Sequence, residues 1–453
     1  MSLVASIRKG GFVSLERQVP LRFVTAASLF DGHDAAINIM RRLIQDAGGE
    51  LIHLGHNRGV LEIVRAAIHE DADGIAISSY QGGHVEFFKY MIDLLKEHGA
   101  EHIRVFGGGG GVIIPEEIAA LEAYGVEKIY SPEDGRLLGL EGMIQDLIER
   151  TKSYSKLGFE ITRCNEGVDD IQLGRLLSHL ELLSLDGMGE RLGELQSELP
   201  VADKPVPVIG ITGPGGAGKS SLTDELLHRF LYTLPEDVRI AVLSIDPTRR
   251  RTGGALLGDR IRMNALISER IFMRSMATRR SNASTNEILE AAISILGRLG
   301  FGLVIVETAG IGQSGTEIVD MVDLALYVMT QEYGAASQLE KIDMLDFADL
   351  IVLNKFEKRG SDDALRDIRK QWRRNHKKFD LSDDFVPVYP TIASQFNDPG
   401  VNRLFAQMNR VLSEKHSELL WEVPREMVDD ARELKKQAVI PNSRQRYLSE
   451  TAE

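Results

Sequence analysis

Gly213-Pro-Gly-Gly-Ala-Gly-Lys-Ser220 is the stretch whose residue types and spacing bear most directly on chemistry. It fits the pattern G-x-x-x-x-G-K-[ST], with the apolar, β-rich run Val206–Thr212 before it and an amphipathic helical run after it. Glycines there let backbone N–H groups turn inward on phosphates, and the start of the following helix favours an anion. Gly216, Ala217 and Gly218 supply those amides. Lys219 brings positive charge to the β- and γ-phosphates, and Ser220, followed by Ser221, offers a hydroxyl to Mg²⁺. The stretch reads as a nucleotide site rather than a plain glycine-rich turn.

Residues downstream supply what such a site needs. The buried-strand pattern Arg239–Ile245 ends at Asp246, where a carboxylate can hold Mg²⁺ directly or through water. The tract Arg249–Arg262 mixes glycines with charge and reads as a mobile loop closing over phosphates, with Asp259 on the metal and Arg262 on the nucleotide; its plainer reading is an exposed basic turn. Phe301-Gly-Leu-Val-Ile-Val-Glu307-Thr-Ala-Gly310 has the shape of a Walker-B/switch II element, in which Glu307 binds Mg²⁺ through water and the Gly310 N–H senses the γ-phosphate. Ile311 follows where Ras-type GTPases place a water-orienting Gln, and Gln313 lies two residues further on. Lys219, Glu307 and Gln313 are the catalytic candidates, with slow intrinsic hydrolysis that needs a partner or dimerisation to complete the site. Asn354-Lys355-Phe-Glu357 matches an N-K-x-D base loop, with Glu replacing Asp but keeping two acceptors for the guanine N1–H and N2–H₂, which points to GTP. Thr391-Ile-Ala-Ser394 resembles the last guanine-contacting loop.

The elements that position these residues belong to an α/β chain of 453 residues, long enough for two or three domains. A net charge of −14 argues against a nucleic-acid surface. One cysteine, Cys164, excludes an internal disulfide and suits a reducing compartment. No run is long enough for a signal peptide or a membrane span, so a cytoplasmic protein is expected. Ahead of the nucleotide site, Arg22–Ser28, Glu50–Leu54, Gly74–Ser78, Ile103–Phe106 and Glu127–Tyr130 read as strands with helices between, a flavodoxin-like (Rossmann-type) parallel sheet. Ligands of such sheets bind beyond the strands' carboxyl ends, which assembles Phe30–Asp34, Ser78–His84 and the five glycines Gly107–Gly111. Singly, each loop has an ordinary reading: Asp34 as a helix cap, the glycines as slack. Together they imply a large flat ligand.

Asp31-Gly-His33, Ser78-Ser-Tyr80 and Gly110-Gly-Val-Ile113 resemble the D-x-H, S-x-L and G-G motifs of cobalamin-binding domains in B12-dependent mutases. The resemblance implies His33 as the lower cobalt ligand and Asp31 as the carboxylate that orients it. It places Ser78 and Tyr80 by the benzimidazole tail and Gly110 and Gly111 along the slot for that tail. Ala36 stands where the family has Gly, and Tyr80 where it has Leu, which puts the slot's width in question. Glu307–Ser314 and Asp246–Asp259 resemble MeaB-type G-protein chaperones of these mutases. That likeness implies magnesium held by Ser220, Asp246, Asp259 and Glu307, with the Ile245 carbonyl and Thr308 nearby.

A cobalamin domain followed by such a G domain resembles the N-terminal part of fused isobutyryl-CoA mutases. The boundaries expected are a cobalamin domain at 1–150, a helical linker at 151–200, a P-loop GTPase domain at 201–420 and a helical extension at 421–453. A mutase barrel of about 250 residues is expected to be absent from this chain. The resemblance implies adenosylcobalamin, Mg²⁺ and GTP, and an acyl-CoA mutase domain or subunit as partner. It further implies an adenosyltransferase partner and a homodimer; neither nucleic acid nor membrane is expected. Two rivals stand beside it: a cobalamin carrier or sensor, or a chaperone for methylmalonyl-CoA mutase, with a regulatory P-loop; and a nickel-insertion GTPase, which the lone Cys164 and scattered histidines disfavour.

Overall fold

A computed structural model describes residues 20–152, 169–185, 205–247, 254–257, 259–278, 282–308, 317–333, 339–416 and 423. The first sheet opens with β1 (Arg22–Ser28), β2 (Glu50–Arg58), β3 (Gly74–Ser78), β4 (Arg104–Gly108) and β5 (Lys128–Tyr130). Every residue of β1 is buried. Its sequence therefore shows no polar alternation, as expected of a parallel strand covered on both faces. Helices α1 (Ala35–Asp46), α2 (Val60–His69), α3 (His84–Glu97), α4 (Pro115–Tyr124) and α5 (Pro132–Lys152) supply that cover. Gly139, at φ 67, breaks α5 into two segments. The order β5-β4-β3-β1-β2 reverses direction between β1 and β3. That switch point brings together the loops after β1, β3 and β4, where ligands of such sheets bind.

A linker helix, α6 (Asp170–Leu185), follows. Leu173, Leu176, Leu177 and Leu180 recur at helical spacing and are buried in one cluster with Leu243 and Phe272 of the second sheet. The parts of the expected linker at 153–168 and 186–200, Cys164 among them, lie outside the described residues.

The second sheet starts with β6 (Val208–Thr212) and β7 (Ile240–Pro247). The next strand, β8 (Ala255–Leu257), leaves it. The sheet resumes with β9 (Ile271–Thr278), β10 (Leu303–Thr308), β11 (Leu324–Met329), β12 (Leu350–Leu353) and β13 (Val388–Pro390). Its strands are parallel in the order β13-β12-β11-β6-β10-β7-β9. Because β6 lies beside β10, and β10 beside β7, the P-loop, Glu307 and Asp246 stand at three adjacent strand ends.

β8 is the departure from the sequence reading. It joins the first sheet, parallel to β2, with Glu50 opposite Ala255, Leu51 opposite Leu256 and Ile52 opposite Leu257. The tract read as a loop over the phosphates thus contributes a strand to the other domain. Ala255 and Leu257 are fully buried in the first domain's core, which accounts for an apolar triplet in a charged tract. Among the described residues no helix is long and apolar enough to cross a membrane.

Charged side chains are buried where the two sheets meet. Arg22 donates to Glu50 from Nε (3.1 Å) and Nη2 (2.8 Å), and to Glu181 Oε2 (3.3 Å). Arg274 donates to Glu181 Oε1 from Nη2 at 2.7 Å. Burial alone would lower the Arg22 guanidinium, but Glu181, Glu50 and Glu70 outweigh it and hold it raised. Removing one partner of such a set leaves an uncompensated buried charge, typically costing about 3–5 kcal/mol.

His69, also at this junction, lies 3.0 Å by Nε2 from Asp170 Oδ2 and accepts from the Met273 N–H at 3.3 Å. Burial pushes its pKa down, against the pull of Asp170. Burial, then Arg41, pushes His53 down to about 4. Both are therefore neutral in the fold, whereas an unfolded chain protonates them below about pH 6.5. Their contribution to stability is full above that value and is lost as pH falls, for His53 down to about 4. The slope is up to about 1.4 kcal/mol per pH unit for each histidine. Urea unfolding should show a lower midpoint at about pH 5 than at about pH 7.5; an unmoved midpoint would contradict neutral burial.

Candidate functional site

The first constellation sits at the carboxyl ends of β1, β3 and β4. Asp31 is fully buried. Its Oδ2 accepts from the Tyr80 N–H at 2.6 Å, and its Oδ1 accepts from the His33 N–H at 2.8 Å. The His33 Nδ1 lies 2.9 Å from the same Oδ1. Burial raises the Asp31 carboxyl, but the Tyr80 and His33 amides and then the His33 ring outweigh it and hold it below its usual range. In the neutral imidazole, an ionised Asp31 selects the tautomer with the proton on His33 Nδ1, which puts the lone pair on Nε2. The imidazole is 71% exposed, so that lone pair is open to a ligand.

A cavity of about 230 Å³ opens beside this pair, lined by Ala36, Ser78, Tyr80 and the Gly107–Gly110 backbone among others. Gly109 is where the wall tolerates no side chain: a Cβ there would lie 2.1 Å from the Ser79 carbonyl oxygen. Ser78 Oγ is buried in the wall, with no hydrogen-bond partner among the described residues. Both residues that depart from the family pattern, Ala36 and Tyr80, line the cavity. Gly110 lines it too, while Gly111 lies outside the lining, in the turn Gly110–Val112. Leu29, Phe30, Val112 and Ile114, in the loops after β1 and β4, and Leu137 and Leu138, in the first segment of α5, are exposed apolar side chains.

The second constellation is built on the P-loop and the helix Lys219–Thr233. Gly218 adopts φ 92, and a Cβ there would sit 2.4 Å from Asn354 Nδ2, so glycine is required on both counts. Lys219 Nζ donates to the Gly213 carbonyl at 3.0 Å and the Pro214 carbonyl at 3.4 Å, folded over the loop it closes. Ser220 Oγ donates to Glu307 Oε1 at 2.8 Å, and Glu307 is 2% exposed. Thr223 Oγ1 donates to Glu307 Oε2 at 3.0 Å, a contact the sequence reading missed. Its signal was a hydroxyl one helical turn after Ser220, on the same face.

Asn354 ties the base loop to the P-loop. Its Nδ2 donates to the Ala217 carbonyl at 2.9 Å, and its Oδ1 accepts from the Ala393 N–H at 3.1 Å and from Thr391 Oγ1 at 3.2 Å. Lys355, at φ 58, donates to the Gly216 carbonyl at 2.7 Å. Glu357, Ser394 and Arg262 are exposed, whereas Ile245 is buried. Asp246, Thr308 and Ser221 are partly buried. The backbone of Asp259 opens the turn Asp259–Arg262. Gly310, Ile311 and Gln313 lie outside the described residues.

A family model described as methylmalonyl-CoA mutase-associated GTPase MeaB matches residues 195–440, and one described as B12 binding domain matches residues 21–133. The chain is 53% identical over 439 residues to a fused isobutyryl-CoA mutase of Geobacillus kaustophilus, covering 96% of this chain and 40% of that protein. It is 53% identical over 437 residues to that of Cupriavidus metallidurans, covering 96% of this chain and 39% of that protein. GTPase ArgK of Escherichia coli is 36% identical over 151 residues, 32% of this chain and 44% of that protein. The chain thus spans 40% and 39% of the length of these two fused mutases. With a P-loop sheet matched from end to end and a B12-binding sheet ahead of it, the chain belongs to the MeaB family of mutase-associated GTPases, in the arrangement of the N-terminal part of the fused isobutyryl-CoA mutases.

Proposed function

We propose that this chain binds adenosylcobalamin at the Asp31–His33 loop and hydrolyses GTP with Mg²⁺ at the P-loop. The nucleotide state gates cofactor loading onto an acyl-CoA mutase domain or subunit that converts isobutyryl-CoA to n-butyryl-CoA. The observation that carries the reading is His33, oriented by a buried Asp31 beside a glycine-walled cavity, on one chain with a P-loop whose Ser220 bonds Glu307.

The residues present fit both groups. Ser78 Oγ is a donor in the cavity wall with no partner among the described residues, and the Gly107–Gly110 backbone leaves room for a flat ring. His33 Nε2 supplies a neutral imidazole lone pair of the kind that ligates cobalt. Adenosylcobalamin brings the cobalt–carbon bond that a radical rearrangement needs; Asp31, His33, Ser78, Tyr80, Gly110 and Gly111 bind and orient it.

At the other site the donors are hard oxygens: the Ser220 hydroxyl, Asp246 and Glu307, with the Ile245 carbonyl and Thr308 next to them in sequence and Asp259 after β8. Among the described residues no three His, Cys, Asp or Glu side chains form a cation cage. Mg²⁺ is bound by few protein groups together with water and phosphates, and hard oxygens of this kind are the donors it takes. Lys219 and the amides of Gly216, Ala217 and Gly218 hold the phosphates, with Ser221 and Arg262 alongside. Asn354, Lys355, Glu357 and Ser394 select guanine, and Gln313 is the candidate for orienting the attacking water. The apolar rim at the His33 end suits docking of the mutase. Dimerisation, supply of the cofactor by an adenosyltransferase and a cytoplasmic setting belong to the same proposal.

Two assays on the purified chain test the reading. Titration of adenosylcobalamin should give a saturable shift to the base-off, His-on absorbance spectrum. Mg·GTP should be turned over to GDP. An unchanged spectrum removes the cobalamin half; GTP binding without turnover, even with a mutase present, would favour a carrier or sensor.

A further inference from the structure

Residues 254–257 and 259–267 are held from both sides. On the G-domain side, Asp224 of the P-loop helix accepts from the Ala265 N–H at 2.8 Å and from Asn264 Nδ2 at 3.2 Å. On the first-domain side, β8 lies along β2. Arg58 Nη2 donates to the Ile261 carbonyl at 3.2 Å, and Arg65 Nη1 donates to the Ile267 carbonyl. The deepest of these contacts is Arg260, 5% exposed, whose Nε donates to Glu70 Oε1 at 2.8 Å. Arg260 Nη2 also donates to the Met273 carbonyl. Glu70 ends α2 of the first domain and is fully buried. It accepts as well from the Ser275 N–H (3.1 and 3.0 Å) and from Ser275 Oγ (2.9 Å) on β9.

Asp259 therefore sits between two anchors: the last residues of a strand in the cobalamin sheet and an arginine buried against a carboxylate of the cobalamin domain. We infer that Glu70 and Arg260 are positioning residues for the Mg²⁺ site, so that the cobalamin domain sets the place of a metal-binding loop of the G domain. This rests on the reading of Asp259 as a metal ligand. A carboxylate that must move to reach the ion binds it less tightly than one already placed, and loss of an outer partner typically costs a site about 10–100-fold in metal affinity. The reverse direction follows: an ion and phosphates that draw on Asp259 pull on β8 and, through it, on β2.

The test is the Mg²⁺ dependence of GTP binding by the full chain. With Glu70→Gln or Arg260→Met, half-saturating Mg²⁺ should rise by about tenfold or more. Nucleotide affinity in EDTA and the cobalamin titration should stay at wild-type values. Ser275→Ala, which takes one bond from the same carboxylate without touching Arg260, should leave all three unchanged. Unaltered Mg²⁺ dependence in the folded variants, or an equal loss in EDTA, overturns the assignment while leaving the GTPase reading intact. A wild-type chain that binds no GTP defeats that reading, and the inference with it. Should the variants fail to fold, amide exchange of the wild type decides. Mg·GTP must change exchange in both 255–257 and 50–52, and a change confined to the P-loop overturns the coupling.

Discussion

Lys219→Ala is expected to lower GTP turnover by about 10²–10³-fold while leaving the cobalamin spectrum as in the wild type. Lys219 Nζ now bonds the Gly213 and Pro214 carbonyls, across the same loop whose amides face the phosphates. A nucleotide can draw the ammonium from these two neutral acceptors to charged oxygens, a stronger interaction made at the place where charge shifts during transfer. Alanine keeps the helix start and removes only that charge. Little stability should be lost, because the side chain is part-exposed. Single-turnover measurements with saturating Mg·GTP, beside a melting curve to confirm the fold, provide the check. Turnover within about twofold of wild type would place the chemistry elsewhere.

The second large effect is at the other end of the chain. His33→Ala should abolish the His-on spectrum, because among the described residues His33 is the imidazole that Asp31 orients, beside the cavity-lining Tyr80. Asp31→Asn should weaken cofactor binding by about 10–100-fold and leave a mixed spectrum. Asparagine keeps the size but has one acceptor oxygen, so it holds the bond from either the Tyr80 or the His33 amide and sets its Nδ2 donor against the other. It loses the charge that holds the proton on Nδ1. Asp31 is held below the usual carboxylate range, so its orienting charge is present at all pH values above that lowered pKa. It is lost only as pH falls through it. Absorbance titrations of the two variants at about pH 7 read both effects. A wild-type spectrum from His33→Ala would contradict the assignment of His33.

Much of this was legible because it is local. Gly74–Ser78 appears as a strand over the residues read from its apolar run, and α1 (Ala35–Asp46) is one of the helices expected between the strands. Asp31, His33 and Ser78 are neighbours because strand order places their loops together, as a parallel α/β sheet requires. What stayed hidden depends on pairing across long stretches of chain. Ala255–Leu257 is too short an apolar run to announce a strand, and nothing local says that its partner is Glu50–Ile52. Arg22, Glu70, Glu181, Arg260 and Arg274 look like surface charges one at a time. Only the meeting of two sheets and a linker helix turns them into mutual partners with almost no exposure. Thr223 was missed for a smaller reason: the P-loop pattern stops at Ser220, and the next hydroxyl on that helical face is reached only in three dimensions.

A gate requires that the cofactor tell one nucleotide state from another. The direct measurement is the affinity of the full chain for adenosylcobalamin with Mg²⁺ and a non-hydrolysable GTP analogue, with Mg·GDP, and with no nucleotide. Dissociation constants that differ between these states by about fivefold or more are expected, with the reciprocal effect of cobalamin on nucleotide affinity. Equal constants in all three would contradict gating, even with both ligands tightly bound.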